Sequence, residues 1–247
     1  MFPISPEVLL ASAVVGFLIG TVGIGGILLI PALVALAGFT PHQASATALF
    51  TFLFTGALGT ALYQRKGSID WRQALIVSAA AILCSYVGAK LSAQVSGPTL
   101  IRVVALLIVF AGAWVFLPVA PLFRAASGSR RTGLLVVVGA ASGFGSGFSG
   151  AGGPLFSVPL MVITGFPALT AVAASQVLQV FSAGAGSFAH AGGGAIRWDL
   201  VPWIVVAELV GVMAGARLAH AVSAQFLRRL AGAACLGVGL WMLARYL

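Results

Sequence analysis

The sequence predicts an all-α polytopic membrane protein built from two homologous helical units in tandem. Three observations carry that prediction. Sixty per cent of the 247 residues are hydrophobic and seven per cent charged, against about a quarter charged in soluble domains, which excludes a water-soluble fold. Several apolar blocks exceed the length of about 20 residues that a bilayer core of roughly 30 Å requires. One pattern of glycine, tryptophan and basic residues also occurs twice, 127 residues apart.

The first apolar stretch, about residues 8–36, is long and interrupted. As straight helix it would measure roughly 43 Å, too long for one crossing and too short for two. Gly23, Gly25, Gly26 and Pro31 break regular helix in its middle. No positive n-region precedes it and no cleavage site follows, so it is expected in the mature protein. Spans are predicted near residues 44–63, 72–95 and 100–117, which completes a first unit over 1–117. A basic linker, 118–132, rich in Pro, Ser, Gly and Arg, leads to a second unit over 133–247. There the plan repeats: an interrupted stretch at about 134–163, then spans near 168–190, 200–222 and 227–246.

The duplication rests on order. Gly23-Ile24-Gly25-Gly26 pairs with Gly150-Ala151-Gly152-Gly153, and Gly67, Ile69 and Trp71 with Gly194, Ile196 and Trp198. Gly88-Ala89-Lys90-Leu91 pairs with Gly215-Ala216-Arg217-Leu218, Arg102 with Arg229, and Trp114 with Trp241. Glycine and alanine matches are cheap in this composition, but two tryptophan pairs and a basic pair in one register are not. If each interrupted stretch crosses once, the units are parallel and the basic residues divide eight to five between the faces. If it enters and returns, the units are inverted and the division is nine to four. The positive-inside rule favours the second arrangement, with Arg65, Lys66, Arg72, Arg124, Arg130, Arg131, Arg217, Arg228 and Arg229 on one face. The net charge of +9 is thus mostly topogenic, and no nucleic-acid partner is expected. Cys84 and Cys235 lie in apolar spans without a CxxC or clustered His, so neither a metal nor another cofactor is expected.

Paired helix breaks in corresponding positions of two halves point to a transporter's substrate site. A helix that restarts inside the membrane presents unsatisfied N–H groups and a positive dipole end, which favour a small anion. The candidate substrate-binding residues are therefore Gly23, Gly25 and Gly26 in the first unit, and Ser149, Gly150, Gly152 and Gly153 in the second. The next helix of each unit adds polar side chains at helical spacing: Thr47, Thr51 and Thr55 in one, Ser175, Gln176, Gln179 and Ser182 in the other. These either bind the oxyanion or hydrogen-bond across helices. Gln176 and Gln179 are expected beside the break at Gly150 to Gly153, because two primary amides in one apolar helix are costly to leave unpaired.

Glu208 is the one acid deep inside a span, and an intramembrane ionisable group is functional by default. It is the candidate for carrying a coupling proton; pairing with His190, His220 or Arg217 is the structural alternative. Asp70 and Asp199, beside Trp71 and Trp198, are read as helix-start caps. The small-residue pairs Gly16/Gly20, Gly143/Gly147 and Gly211/Gly215 are read as helix packing. Gly145 to Gly150 fits GxGxxG, but no strand precedes it, which argues against a dinucleotide fold. Gly147-Phe148-Ser149-Gly150 resembles the GxSG of rhomboid proteases, and an intramembrane serine hydrolase using Ser149 is the reading from another class. An anion channel of the same fold is a third. Against the hydrolase, Val22 stands in the first unit where Ser149 stands in the second.

The residues from Gly16 to Gly26 with Pro31, those from Ala44 to Thr47, the second copy from Gly143 to Pro159, Gly67-x-Ile69-Asp70-Trp71 and Gly88 to Leu91 together resemble the sulfite exporter TauE/SafE family, also called the toluene sulfonate uptake permeases. The resemblance covers essentially the whole chain. It implies a non-enzymatic secondary transporter that moves sulfite, a sulfonate or a related sulfur-containing anion across the bacterial inner membrane, in contact with the bilayer and compatible with a homo-oligomer. Sulfur chemistry comes from the resemblance alone; composition and spacing carry only the anion.

Overall fold

The computed structural model describes residues 4–22, 25–117, 128–218 and 224–246. Gly23, Arg124 and His220, singled out above, lie outside these residues. The first unit holds α1 (Pro6–Val22), a short 3-10 turn (Gly26–Leu28), α2 (Leu29–Leu36), α3 (Pro41–Arg65), α4 (Trp71–Ser92) and α5 (Gly97–Phe116). The second holds α6 (Gly128–Ser149), α7 (Pro154–Ile163), α8 (Ala168–Ala191), α9 (Val201–Leu218) and α10 (Ala224–Tyr246). Among the described residues, six helices are long and apolar enough to cross a membrane: α3, α4, α5, α6 from Arg130, α8 and α9. Large apolar side chains such as Leu83 and Phe188 face outward, three-quarters exposed, as a surface solvated by lipid allows.

Local chemistry sets the helix starts. Thr40 caps α3 in a reciprocal box with Gln43, with Pro41 in the first turn. Asp70 caps α4 by accepting from the Gln73 N–H, and Ser96 does the same for α5 from Thr99. Asp199 departs from expectation. The first unit reads Asp70-Trp71-Arg72 and the second Arg197-Trp198-Asp199, so the acid falls after the tryptophan instead of before it. There it forms a two-bond ion pair with Arg197 at 3.0 and 2.9 Å.

The units interlock. α1 packs along α9 in the same direction, with Gly16 against the backbone of Glu208 and Gly20 against that of Val212. α6 packs likewise along α4, with Gly143 on Ala81 and Gly147 on Ser85. These are the same contacts under the 127-residue offset. A Cβ on any of the four glycines would collide with a facing backbone carbonyl, so the small residues set the helix separation. Counterpart helices meet antiparallel: along α3 and α8, Leu49 lies against Gly186, Gly56 against Gln179 and Gly59 against Gln176. α5 and α10 cross the same way, with Val115 on Gly232, Val109 on Gly239, and the Arg102 Nε donating to the Tyr246 carbonyl at 2.7 Å.

Candidate functional site

α3 and α8 cross at the centre, and the two glycine-rich breaks converge on that crossing. In the second unit α6 stops at Ser149, and the backbone passes through Gly150 (φ 75°) and Gly152 (φ 81°) before α7 starts at Pro154. Both φ values lie in the left-handed region that favours glycine. In the first unit Gly25 and Gly26 precede α2. No side chain caps the 3-10 turn at Gly26 or the start of α7, so both leave backbone N–H groups without a local partner. Gly25, Gly26, Ala151, Phe52 and Gln179 line one small central cavity.

Two side chains dominate it. The Phe52 ring lies between the breaks, 3.0 Å from where a Cβ on Gly26 would stand and 3.2 Å from that of Gly152. Gln179 reaches across from α8 and donates from Nε2 to the Phe52 carbonyl and the Thr55 hydroxyl, both at 3.0 Å. A backbone carbonyl can only accept, which settles which amide atom is the nitrogen. Phe52 was not singled out from the sequence. The available signal was its position 127 residues before Gln179, the repeat offset, which puts both at one place in the duplicated unit.

The other candidates separate. Gln179 lies beside the second break, as Gly152 and Gly153 abut its side chain and backbone. Gln176 does not: it covers Gly59 one turn away and faces a second cavity, a vestibule lined also by Thr21, Tyr63, Lys66, Val212 and Ala216. Thr47, buried, accepts from the Arg197 N–H at 3.1 Å and so fastens the loop before α9. Thr51 bonds back to the Ala48 carbonyl, and Ser175 to that of Val172. The Ser149 hydroxyl donates to the Gly145 carbonyl at 2.6 Å and accepts from the Ala151 N–H at 3.2 Å. It shapes the end of α6. Gly150 packs against the backbone of Ser45. Glu208, fully buried, lies beside the Thr51 side chain, but neither carboxyl oxygen makes a well-aligned hydrogen bond among the described residues.

This arrangement, two uncapped backbone breaks around a buried amide and ring, suits reversible binding of a small solute inside a membrane domain. Comparison with known proteins bears on the chain as a whole. Residues 8–242 match the family described as "Sulfite exporter TauE/SafE". The chain is 27% identical to a "Probable membrane transporter protein" of Xylella fastidiosa, over 95% of this chain and 93% of that one. It is 27% identical to the "Probable membrane transporter protein YfcA" of Escherichia coli K12, over 88% and 83%. It is 25% identical to the "Probable membrane transporter protein YdhB" of Bacillus subtilis, over 86% and 89%. No solved structure matches. The helices, the duplicated breaks and a match spanning nearly every residue lead to one conclusion: the chain is a multi-pass inner-membrane protein that belongs to the sulfite exporter TauE/SafE family of membrane transporters.

Proposed function

We propose that this protein is a secondary transporter for a small anion, with sulfite, a sulfonate or another sulfur-containing anion as substrate. The observation that carries the reading is the convergence of both glycine breaks on the cavity shared by Phe52 and Gln179. An anion leaving water must recover hydration from several aimed donors. Uncapped backbone N–H groups at the two breaks supply them without the strong binding of a fixed cation, which would prevent release, while the Gln179 amide spends both N–H groups on Phe52 and Thr55 and holds the crossing in place. The sulfur specificity rests on the family description and not on the geometry.

The repeats in this reading are inverted, with α1 and α2, and α6 and α7, entering and returning. Antiparallel contact between counterpart helices, α3 with α8 and α5 with α10, supports it, because a two-fold axis in the membrane plane reverses each helix onto its copy. The face carrying Arg65, Lys66, Arg72, Arg130, Arg131 and Arg217 is then cytoplasmic. Glu208 carries the coupling proton. An unpaired carboxyl away from solvent holds charge only at high cost, so charging it is linked to opening a path to water.

The test is flux in proteoliposomes with a panel of sulfite, organosulfonates and carboxylates. Saturable, protein-dependent movement of sulfite or a sulfonate is the expected result. No protein-dependent flux for any of them would sink the proposal.

A further inference from the structure

The central cavity and the vestibule meet at Ile19, and the residues lining the vestibule have repeat counterparts in the other half whose surroundings differ. The vestibule is lined by Gly20, Gly59, Tyr63, Gln176, Val212 and Ala216 and leads up to exposed Lys66. Their counterparts 127 residues away are Gly147, Gly186, His190, Leu49, Ser85 and Ala89. Gly20, Tyr63 and Ala216 are half-buried, while Gly147, His190 and Ala89 are buried. Three of the six positions are thus more open in one half than in the other, and the remaining three are buried in both.

The helices show the same asymmetry. α4 stays against α8 along its length: Ala74, Val77 and Ala81 pack with Ala171, Ala174 and Val177. Further along, the Ser85 hydroxyl donates to the Ser182 carbonyl at 2.6 Å, and the rings of Tyr86 and Phe188 lie 6.4 Å apart. The repeat-related pair α9 and α3 meet toward their N-terminal halves, where Ala46 and Phe50 pack with Val201 and Val205. Beyond that the vestibule separates them.

Residue chemistry explains which side is shut. Leu49, with no exposed surface, sits on Gly186, where a Cβ would stand 2.6 Å from its Cδ2. An apolar side chain in a glycine notch seals a route without stranding a polar group. Gln176 occupies the related position over Gly59 and presents an amide, which keeps a hydrated route favourable. Val212 replaces Ser85, so the hydroxyl that ties α4 to α8 has no equivalent between α9 and α3.

We infer that the vestibule is the substrate's access route on the Lys66 face, that Leu49 seated on Gly186 is the gate closing the matching route on the other face, and that the two routes open in alternation. The inference rests on the transporter reading above and adds the path and the gate. Two packed arrangements of repeat-related helices, each discrete, are what allow one side to open as the other closes.

The test needs no substrate. In a background with Cys84→Ala and Cys235→Ala, Ala216→Cys and Ala89→Cys are introduced singly and labelled with a membrane-impermeant maleimide in vesicles of each orientation. Ala216→Cys should label from the Lys66 face at least about tenfold faster than Ala89→Cys labels from the other, since a minor state is populated at about 10% or less. Adding Leu49→Ala should raise labelling at Ala89→Cys and lower it at Ala216→Cys. Equal initial rates overturn the inference, as does a rise at Ala89→Cys without the reciprocal fall, which would mean a leak. No change with Leu49→Ala removes Leu49 as the gate. A parallel sulfite flux assay on the unlabelled protein keeps failure of the transport reading distinct, because labelling does not depend on which anion is carried.

Discussion

Gln179 donates its side-chain amide to the backbone of Phe52 at 3.0 Å, joining two residues 127 positions apart that hold the same place in the two repeats. The pseudo-symmetry therefore runs through a heteromeric contact, an amide from one copy on the backbone beneath an aromatic ring of the other. It binds α3 to α8 at the point where both glycine breaks arrive.

That contact separates the two glutamines. Gln179→Ala removes hydrogen bonds to Phe52 and Thr55 and should lower stability by roughly 1–3 kcal/mol as well as weakening the anion site. Gln176→Ala, in the vestibule lining away from the breaks, should leave anion affinity at the central site nearly unchanged, with little effect on stability. Thermal unfolding in detergent and anion binding, measured on both variants, check this. Equal loss of stability in both would make Gln176 interhelical glue.

Helix spacing yields a paired prediction. Gly143→Ala drives a methyl into the Ala81 backbone and should cost about 1–3 kcal/mol or more, as overpacking does. Gly237→Ala in α10 meets nothing within 4 Å and should stabilise by about 0.5–1 kcal/mol, the ordinary helix-interior gain. Melting midpoints moving in the same direction would show that the α4–α6 spacing is not set by these glycines.

Glu208→Gln keeps the shape of a buried carboxyl without a well-aligned hydrogen bond and removes its charge. The fold should tolerate it, because no ion pair is lost and the amide fits beside the Thr51 side chain as the carboxyl does. Flux driven by a pH gradient should collapse, while counterflow of labelled against unlabelled anion persists. If gradient-driven flux is unchanged, the proton travels elsewhere.

Arg197 and Asp199 supply a contrasting acid. The guanidinium bonds hold the Asp199 carboxyl below its ordinary range and raise Arg197. A depressed carboxyl stabilises at pH above its unfolded value, and the contribution is lost as pH falls through the acid range below about 4. With the side chains 39% and 54% exposed, solvent screening limits the pair to about 0–1 kcal/mol. Asp199→Asn should therefore shift the melting midpoint slightly at neutral pH, and the difference should vanish in acid. A large loss at neutral pH would assign the loop a greater role.

Much of the candidate site was legible in the chain. Gly25 and Gly26 match Gly152 and Gly153 in the second copy and fall at the backbone breaks of the fold, as expected, whereas Pro31 and Pro159, also read as helix breakers, are accommodated inside α2 and α7. Gln179 was legible as a polar side chain too costly to leave alone. Thr47 and Ser149 show where that reasoning ends. Both are polar and buried, yet one fastens a loop through the Arg197 N–H and the other shapes the end of its own helix. Periodicity finds a face but not what stands opposite it.

Composition and the 127-residue repeat establish a lipid-embedded, helical, duplicated protein, because in hydrocarbon a spanning segment must satisfy its backbone hydrogen bonds internally, a demand the long helices meet from their own residues. Which segments meet is a different matter. The meeting of Phe52 with Gln179, the surroundings of Glu208, and the opening at Gln176 against the closure at Leu49 arise between residues more than a hundred positions apart. They depend on how glycine notches and side-chain volumes fit across helices, and two related repeats can pack unequally when one presents Leu49 and Ser85 where the other presents Gln176 and Val212.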